Sequence, residues 1–231
     1  MAFPRPRHAW QSNLIDGVYT RAVSGRHPRR AAAGPVPGGS RERLVEAAMR
    51  LLRQRGYEAT VVKDIAREGD APMGSFYYHF PLGKEQLAAA AVRLGGDEVA
   101  RLYLRALQSH TDPGDALAAI PLRIANMMER SAWRDGCPVA TTALETVGRV
   151  PSLQQAAAEA FDQWQEVVAG WLRRAGCDPD VARDLALTTL TIVEGAELLA
   201  RVRRSREPLE RAAATLRQLA REAIRLPQPA G

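Results

Sequence analysis

Apolar residues recur three and four positions apart along most of the chain from Ser40 to Leu226, the spacing that gives a helix one buried face. Ser40 as N-cap opens the first helix, which runs to about Arg55 with Leu44, Ala47, Ala48, Leu51 and Leu52 on one side, and Gly56 closes it. A second spans about Val61 to Glu68, with Thr60 as N-cap and Val62, Ile65 and Ala66 on its apolar face; Lys63 stands where a capping box would place Glu or Gln. Gly69-Asp70 breaks that helix, Pro72 suits the first position of the third, and Pro81 stops it after Phe76 and Phe80, four apart and able to pack inward. The fourth begins near Lys84 and reaches Gln108. It contains Gly95-Gly96, two residues that each cost about 1 kcal/mol against Ala in a helix, so either a hinge or a bend that follows the core is expected there.

A turn at His110–Asp115 precedes a helix over about Asp115–Ser131, in which Pro121 predicts a kink. The loop Trp133–Pro138 leads to a short helix over Val139–Glu145. The seventh helix, about Ser152–Ala175, carries a seam of Phe161, Trp164, Val168 and Trp171. Asp178 caps the eighth, Pro179–Arg203, whose apolar and small face is interrupted by Glu194 and Glu197. The ninth covers about Pro208–Leu226. The fold class is therefore all-α, with an N-terminal three-helix part over 40–90 and a larger helical part over 91–231. The two long terminal helices suit a four-helix interface with a second copy.

Composition adds little to this until it is divided along the chain. Hydrophobic residues make up 46% and charged residues 25%, ordinary for a globular protein. No apolar run approaches the ~20 residues of a membrane span, no apolar leader core opens the chain, and Cys137 and Cys177 have neither disulfide-framework nor zinc spacing. A cytoplasmic protein without membrane, metal or cofactor is the expectation. The formal charge of +6 resides mostly in residues 1–39, which hold six Arg against one Asp, so it is no argument for a nucleic-acid groove in the body. Those residues, rich in Pro, Gly, Arg and Ala, predict a disordered basic tail. It is either an arm that touches phosphate or minor groove, or an inert extension or early start site, and the second reading is favoured.

The three N-terminal helices have the helix-turn-helix layout, whose second helix enters the DNA major groove. Gly74-Ser75-Phe76-Tyr77-Tyr78-His79-Phe80, followed by Gly83-Lys84-Glu85 and preceded by Gly56-Tyr57-Glu58-Ala59-Thr60 and Asp64-Ile65-Ala66, resembles the DNA-binding signature of the TetR family of bacterial transcriptional regulators. Gly136 to Glu145, Gly-Cys-Pro-Val-Ala-Thr-x-Ala-Leu-Glu, resembles the C-terminal domain of the LmrA/YxaF-like branch, and the Pro81-Leu82-Gly83-Lys84 spacing agrees. The resemblance implies a homodimeric regulator, a repressor by expectation, that binds a palindromic double-stranded operator and is released by a small effector. It places Tyr78, His79 and Lys84 on phosphates, and Met73, Gly74, Ser75 and Tyr77 near base edges with Lys63 and Val62 from the preceding helix. Met73 departs from the Lys common in relatives, replacing a polar contact by an apolar one. Arg41, Arg43 and Arg50, outward on the first helix, are further phosphate candidates.

For the effector, a small apolar or cationic molecule, candidate wall residues are Met127, Met128, Trp133, Phe161, Trp164 and Trp171, with Thr141, Glu145 and Glu194 as polar contacts. A Glu there either meets a cationic ligand or pairs with an Arg structurally, the reading favoured for Glu194. Cys137, before a Pro at a helix start, is either a thiolate sensor or a plain buried thiol, and the second is favoured. Two other classes compete. A partner protein in place of a small ligand would want a dry, filled C-terminal core. A helical enzyme finds no support: there is no phosphate loop, metal-spaced His pair or nucleophile elbow, and the four His (8, 27, 79 and 110) make no catalytic set.

Overall fold

A computed structural model of the chain describes residues 39–225. Among them nine helices follow in order: α1 Ser40–Arg55, α2 Val62–Glu68, α3 Met73–His79, α4 Lys84–Leu107, α5 Pro113–Arg130, α6 Pro138–Thr146, α7 Pro151–Arg174, α8 Pro179–Arg203 and α9 Glu207–Arg225. No strand occurs among the described residues. The expected tail lies outside them apart from Gly39, as does Leu226.

The ends of the helices are set by local chemistry. The Asp178 carboxylate accepts from the N–H groups of Asp180 (2.9 Å) and Val181 (3.2 Å), as its N-cap role requires. Asp112 does the same for Asp115 at 2.8 Å, so α5 starts at Pro113, two residues before the expected Asp115. Thr60 is not the cap of α2. Its hydroxyl turns back to donate to Gly56 O at 2.7 Å, and Val61 takes the cap position without a side-chain bond. Ser40 likewise stands as the first residue of α1 behind Gly39, which frees its hydroxyl for other use. Gly56, with φ of 78°, closes α1 in a conformation that favours glycine.

α2 and α3 pack on α1, and α1 packs on α4 and α6. α4 runs alongside α7, α5 alongside α9, and α7 and α9 both pack on α8. The position between residues 90 and 91 falls inside α4, so the two parts share an uninterrupted helix. Pro121 is likewise accommodated within a continuous α5.

Gly95-Gly96, where either a hinge or a bend that follows the core is expected, is a place of close approach. A methyl group at Gly95 would lie 2.8 Å from Pro138 Cγ, and one at Gly96 would lie 2.8 Å from the Ala160 methyl. Both glycines are buried, and α6 and α7 pass α4 there with no room for a side chain. The same approach lets Trp164, fully buried, donate from Nε1 to Gly96 O at 2.8 Å. On the far side, α8 turns Leu187, Leu198, Leu199 and Val202 outward, with Val202 75% exposed.

Candidate nucleic-acid interface and the cavity behind it

α3 is held by its buried face. Phe76 and Phe80 sit in the core with ring centroids 6.1 Å apart, which turns the intervening side chains outward. Tyr77 is 64% and Tyr78 81% exposed, far more than aromatic rings concede without a partner. Met73 and Lys63 are exposed beside them, and Val62 is half-buried against the core. A side chain at Gly74 would meet nothing, so the helix surface there is open to close approach. This face is flanked by Lys84, whose Nζ stands 4.1 Å from the centroid of the Tyr57 ring, and partial burial holds its pKa below the usual lysine range.

Two of the expected contacts have a second duty. Ser75 Oγ donates to Ser40 Oγ at 2.7 Å, and Ser40 Oγ lies 2.8 Å from His79 Nε2. A hydroxyl both accepts and donates, so Ser40 bridges two turns of α3 to the start of α1. The expected phosphate arginines of α1 also serve within the domain. Arg43 Nε donates to Gly69 O at 3.1 Å, across the turn that joins α2 to α3, and Arg50 pairs with Glu68 at 3.2 Å. Arg41 lies over the Phe80 ring at 5.7 Å. The arginines thus fix α2 and α3 against α1.

Behind this unit lies a cavity of about 350 Å³ walled by α1, α4, α5, α8 and the loop before α6. Val99, Leu102, Ile124, Met127 and Met128 supply its apolar wall, and Arg53, Tyr103, Cys137, Glu194 and Glu197 its polar groups. Of the expected effector residues, Met127, Met128 and Glu194 line it. Trp133, Phe161 and Trp171 are half-buried against the core, and Trp164 is committed to Gly96; none of the four lines the cavity. Phe161, Trp164 and Trp171 face inward because α7 lies directly on α4, so the seam is consumed by helix packing, while Trp133 lies in the turn after α5. Thr141 is also outside the cavity. Glu145 reaches the other way and accepts from Glu58 N–H at 2.9 Å, joining α6 to the turn after α1. Sequence reasoning missed Arg53 and Tyr103, which nothing in the local pattern distinguishes. Glu197 was visible as an acid breaking the small face of α8.

The chemistry of the cavity is set by desolvation. Burial raises the pKa of Glu197, with the Glu194 charge adding to the rise, and burial likewise raises Glu194. Cys137 Sγ accepts from Ala140 N–H at 3.3 Å. Burial and the two glutamates push that thiol well up, so it is a protonated buried group. Contrary to the expected Arg partner, no ion pair among the described residues includes Glu194 or Glu197. Arg53 pairs instead with Glu98 at 3.2 Å. The Tyr103 hydroxyl is buried without a hydrogen-bond partner. No set of three or more His, Cys, Asp or Glu among the described residues is arranged to hold a metal, and no helix among them is long and apolar enough to cross a membrane.

Residues 44–91 match the family model of the bacterial regulatory proteins of the tetR family, and residues 113–215 match that of the C-terminal domain of LmrA/YxaF-like transcriptional regulators. The chain is similar to the HTH-type transcriptional regulator LmrA of Bacillus subtilis (strain 168), with 33% identity over 74% of this chain and 92% of the relative. It is also similar to the HTH-type regulator YxaF of the same organism, with 31% identity over 74% and 90%. Among solved structures, a TetR transcriptional regulator from Chloroflexus aurantiacus aligns with a TM-score of 0.66 and 30% identity over 78% of this chain and 92% of that one. The regulatory protein TetR from Rhodobacter sphaeroides aligns with a TM-score of 0.70 and 24% identity over 79% and 99%.

Proposed function

The chain belongs to the TetR family of bacterial transcriptional regulators and carries its DNA-binding helix-turn-helix; from that premise we propose that it is a cytoplasmic repressor that binds a palindromic operator as a homodimer and lets go when a small apolar or cationic molecule fills the cavity behind α1. The observation that carries this reading is the pairing of an exposed Tyr77-Tyr78 face on α3 with a cavity that has Arg53 of α1 in its wall. A ligand there acts on a helix that also holds the recognition helix, and so has a route to differential affinity for the two DNA-binding geometries.

In this reading Tyr77, Met73, Gly74 and Lys63 meet base edges together with Val62, and Tyr78 and Lys84 meet phosphates. Ser75 and His79 reach DNA from the positions that Ser40 gives them. The outward Leu187, Leu198, Leu199 and Val202 of α8 support a second copy as their cover, since a twofold dimer doubles the operator contact that one helix-turn-helix makes. The cavity also weighs against a partner protein as the effector, which would want that core filled.

The test is selection of bound fragments from sheared genomic DNA. The proposal expects enrichment of a palindrome whose half-site centres are about 34 Å, one helical turn, apart or a multiple of it. Enrichment of a single unpaired half-site, or of none, contradicts it.

A further inference from the structure

We infer that the effector is a primary amine with an apolar body, whose ammonium group sits among Glu194, Glu197 and Tyr103 and donates one N–H to each. This rests on the reading of the cavity as the effector site and goes on to the chemistry of the molecule it takes.

Three independent features converge on that spot. The first is the space, about 350 Å³, with an apolar wall of Val99, Leu102, Ile124, Met127 and Met128. The second is the carboxylate pair, three residues apart and so on one face of α8, neither member of which pairs with an arginine among the described residues. The third is the Tyr103 hydroxyl, on a fully buried residue of the facing helix α4, which has no partner and lines the same space. An unpartnered buried hydroxyl is costly unless something fills its bond. An ammonium group has three donors and no acceptor, which matches two carboxylates and one phenol oxygen. A neutral apolar ligand would leave the Tyr103 hydroxyl unpartnered and offer the glutamates no donors.

Arg53 and Arg201 lie near enough to Glu197 to oppose the effect of its burial, but both have other partners. Arg53 of α1 is held by Glu98 of α4 at 3.2 Å. Asp135 accepts from Gln54 Nε2 at 2.9 Å, and Arg201 of α8 donates to Gln54 O and Arg134 O, both at 2.9 Å. Arg130 of α5 lies exposed at the rim. Burial and the two glutamates keep the Cys137 thiol protonated. Before the ligand enters, burial favours the protonated carboxyls; an ammonium between them favours the carboxylates, so cation binding expels a proton. Affinity for the amine therefore rises with pH over the range where the free carboxyls titrate, by up to about tenfold per unit for each proton expelled.

The experiment compares 4-phenylbutylamine with the neutral 4-phenylbutan-1-ol by calorimetry on the full chain at pH 6 and pH 8, in two buffers of different ionisation enthalpy. The inference expects the amine to bind at least tenfold tighter than the alcohol at pH 8, an advantage that shrinks at pH 6, and proton release with the amine alone. Glu197→Gln lowers the pH dependence and the number of protons released, leaving the part due to Glu194, and Tyr103→Phe weakens the amine several-fold, with thermal melts showing both variants folded. Equal binding of the two probes, amine binding without proton release, or binding of neither by a folded protein overturns it. DNA binding is read in parallel: a chain that selects an operator but does not prefer the amine refutes this inference alone, whereas a chain that binds no DNA refutes the regulator reading whatever the amine does.

Discussion

Arg201 of α8 donates from Nη2 to the carbonyl of Gln54 at 2.9 Å and so ties the last turn of α1 to a helix that begins more than a hundred residues later. The same nitrogen reaches Arg134 O at 2.9 Å, which draws in the loop that leads to Cys137. Glu197 and Glu194 stand on the same helix, one and two turns earlier. A change of charge between them is thus one rigid element away from the helix that carries the DNA-binding unit. Arg201→Ala removes two charge-assisted bonds to backbone. The expected result is a loss of roughly 1.5–3 kcal/mol in stability by urea denaturation, together with a smaller effect of any cavity ligand on operator affinity.

Ser40 is the hinge-pin of the recognition helix. Ser40→Ala deletes the hydroxyl that Ser75 and His79 share, at a part-buried site. It is predicted to lower stability by about 0.5–1.5 kcal/mol while reducing operator affinity several-fold. Unchanged affinity in a mobility-shift titration would mean that α3 is held well enough by Phe76 and Phe80 alone.

Gly95→Ala and Gly96→Ala distinguish close packing from a hinge by sign. In an open helix each would stabilise by up to about 1 kcal/mol. Here each methyl meets Pro138 or Ala160 at 2.8 Å, and overpacking is predicted to cost roughly 1–3 kcal/mol in thermal or urea melts.

The raised carboxyls give stability a definite pH slope. A glutamate whose folded pKa lies above its unfolded value of about 4.3 contributes stability that is complete below that value and is lost as pH rises through the folded one. Burial raises both Glu194 and Glu197 in this way. The ligand-free protein is therefore predicted to lose a few degrees of melting temperature as pH rises through neutrality, and Glu197→Gln to flatten that part of the curve. An identical slope in the variant would assign the loss to other groups.

The exposed stripe of α8 predicts its own cover. Leu198→Arg combined with Val202→Arg places charges at positions 58% and 75% exposed in the single chain, where they cost a monomer little. Sedimentation should show a dimer for the natural chain and a monomer for the variant.

Much of this architecture was legible from residue patterns because helices are local objects. Asp178 and Gly56 mark ends through caps that involve their immediate neighbours, and the period of Leu44, Ala48 and Leu52 shows which face is buried. Thr60 shows where that logic stops: the right residue type for a cap stands one position early and spends its hydroxyl on Gly56. The candidate site was less legible. Tyr77 and Tyr78 stand out because aromatic residues interrupt a polar face. Ser40 meets His79 across 39 residues only after α1 and α3 have docked. The Phe161–Trp164–Trp171 seam reads as a ligand wall until Gly96 is seen to admit α7 against α4. Arg53 and Tyr103 face the cavity through helix crossing geometry, which carries no mark in local sequence.

The most direct test is a mobility shift of DNA from around the protein's own gene, carried through a salt series with Tyr77→Ala as control. Tyr77 is 64% exposed, so its removal should leave the fold within about 0.5 kcal/mol. The account predicts sharp retardation of one palindromic fragment, an affinity that falls by about three orders of magnitude between 50 and 200 mM salt, and loss of the shift in the variant. Salt-insensitive binding, or a Tyr77→Ala protein that shifts the same fragment as well as the natural one, would contradict it.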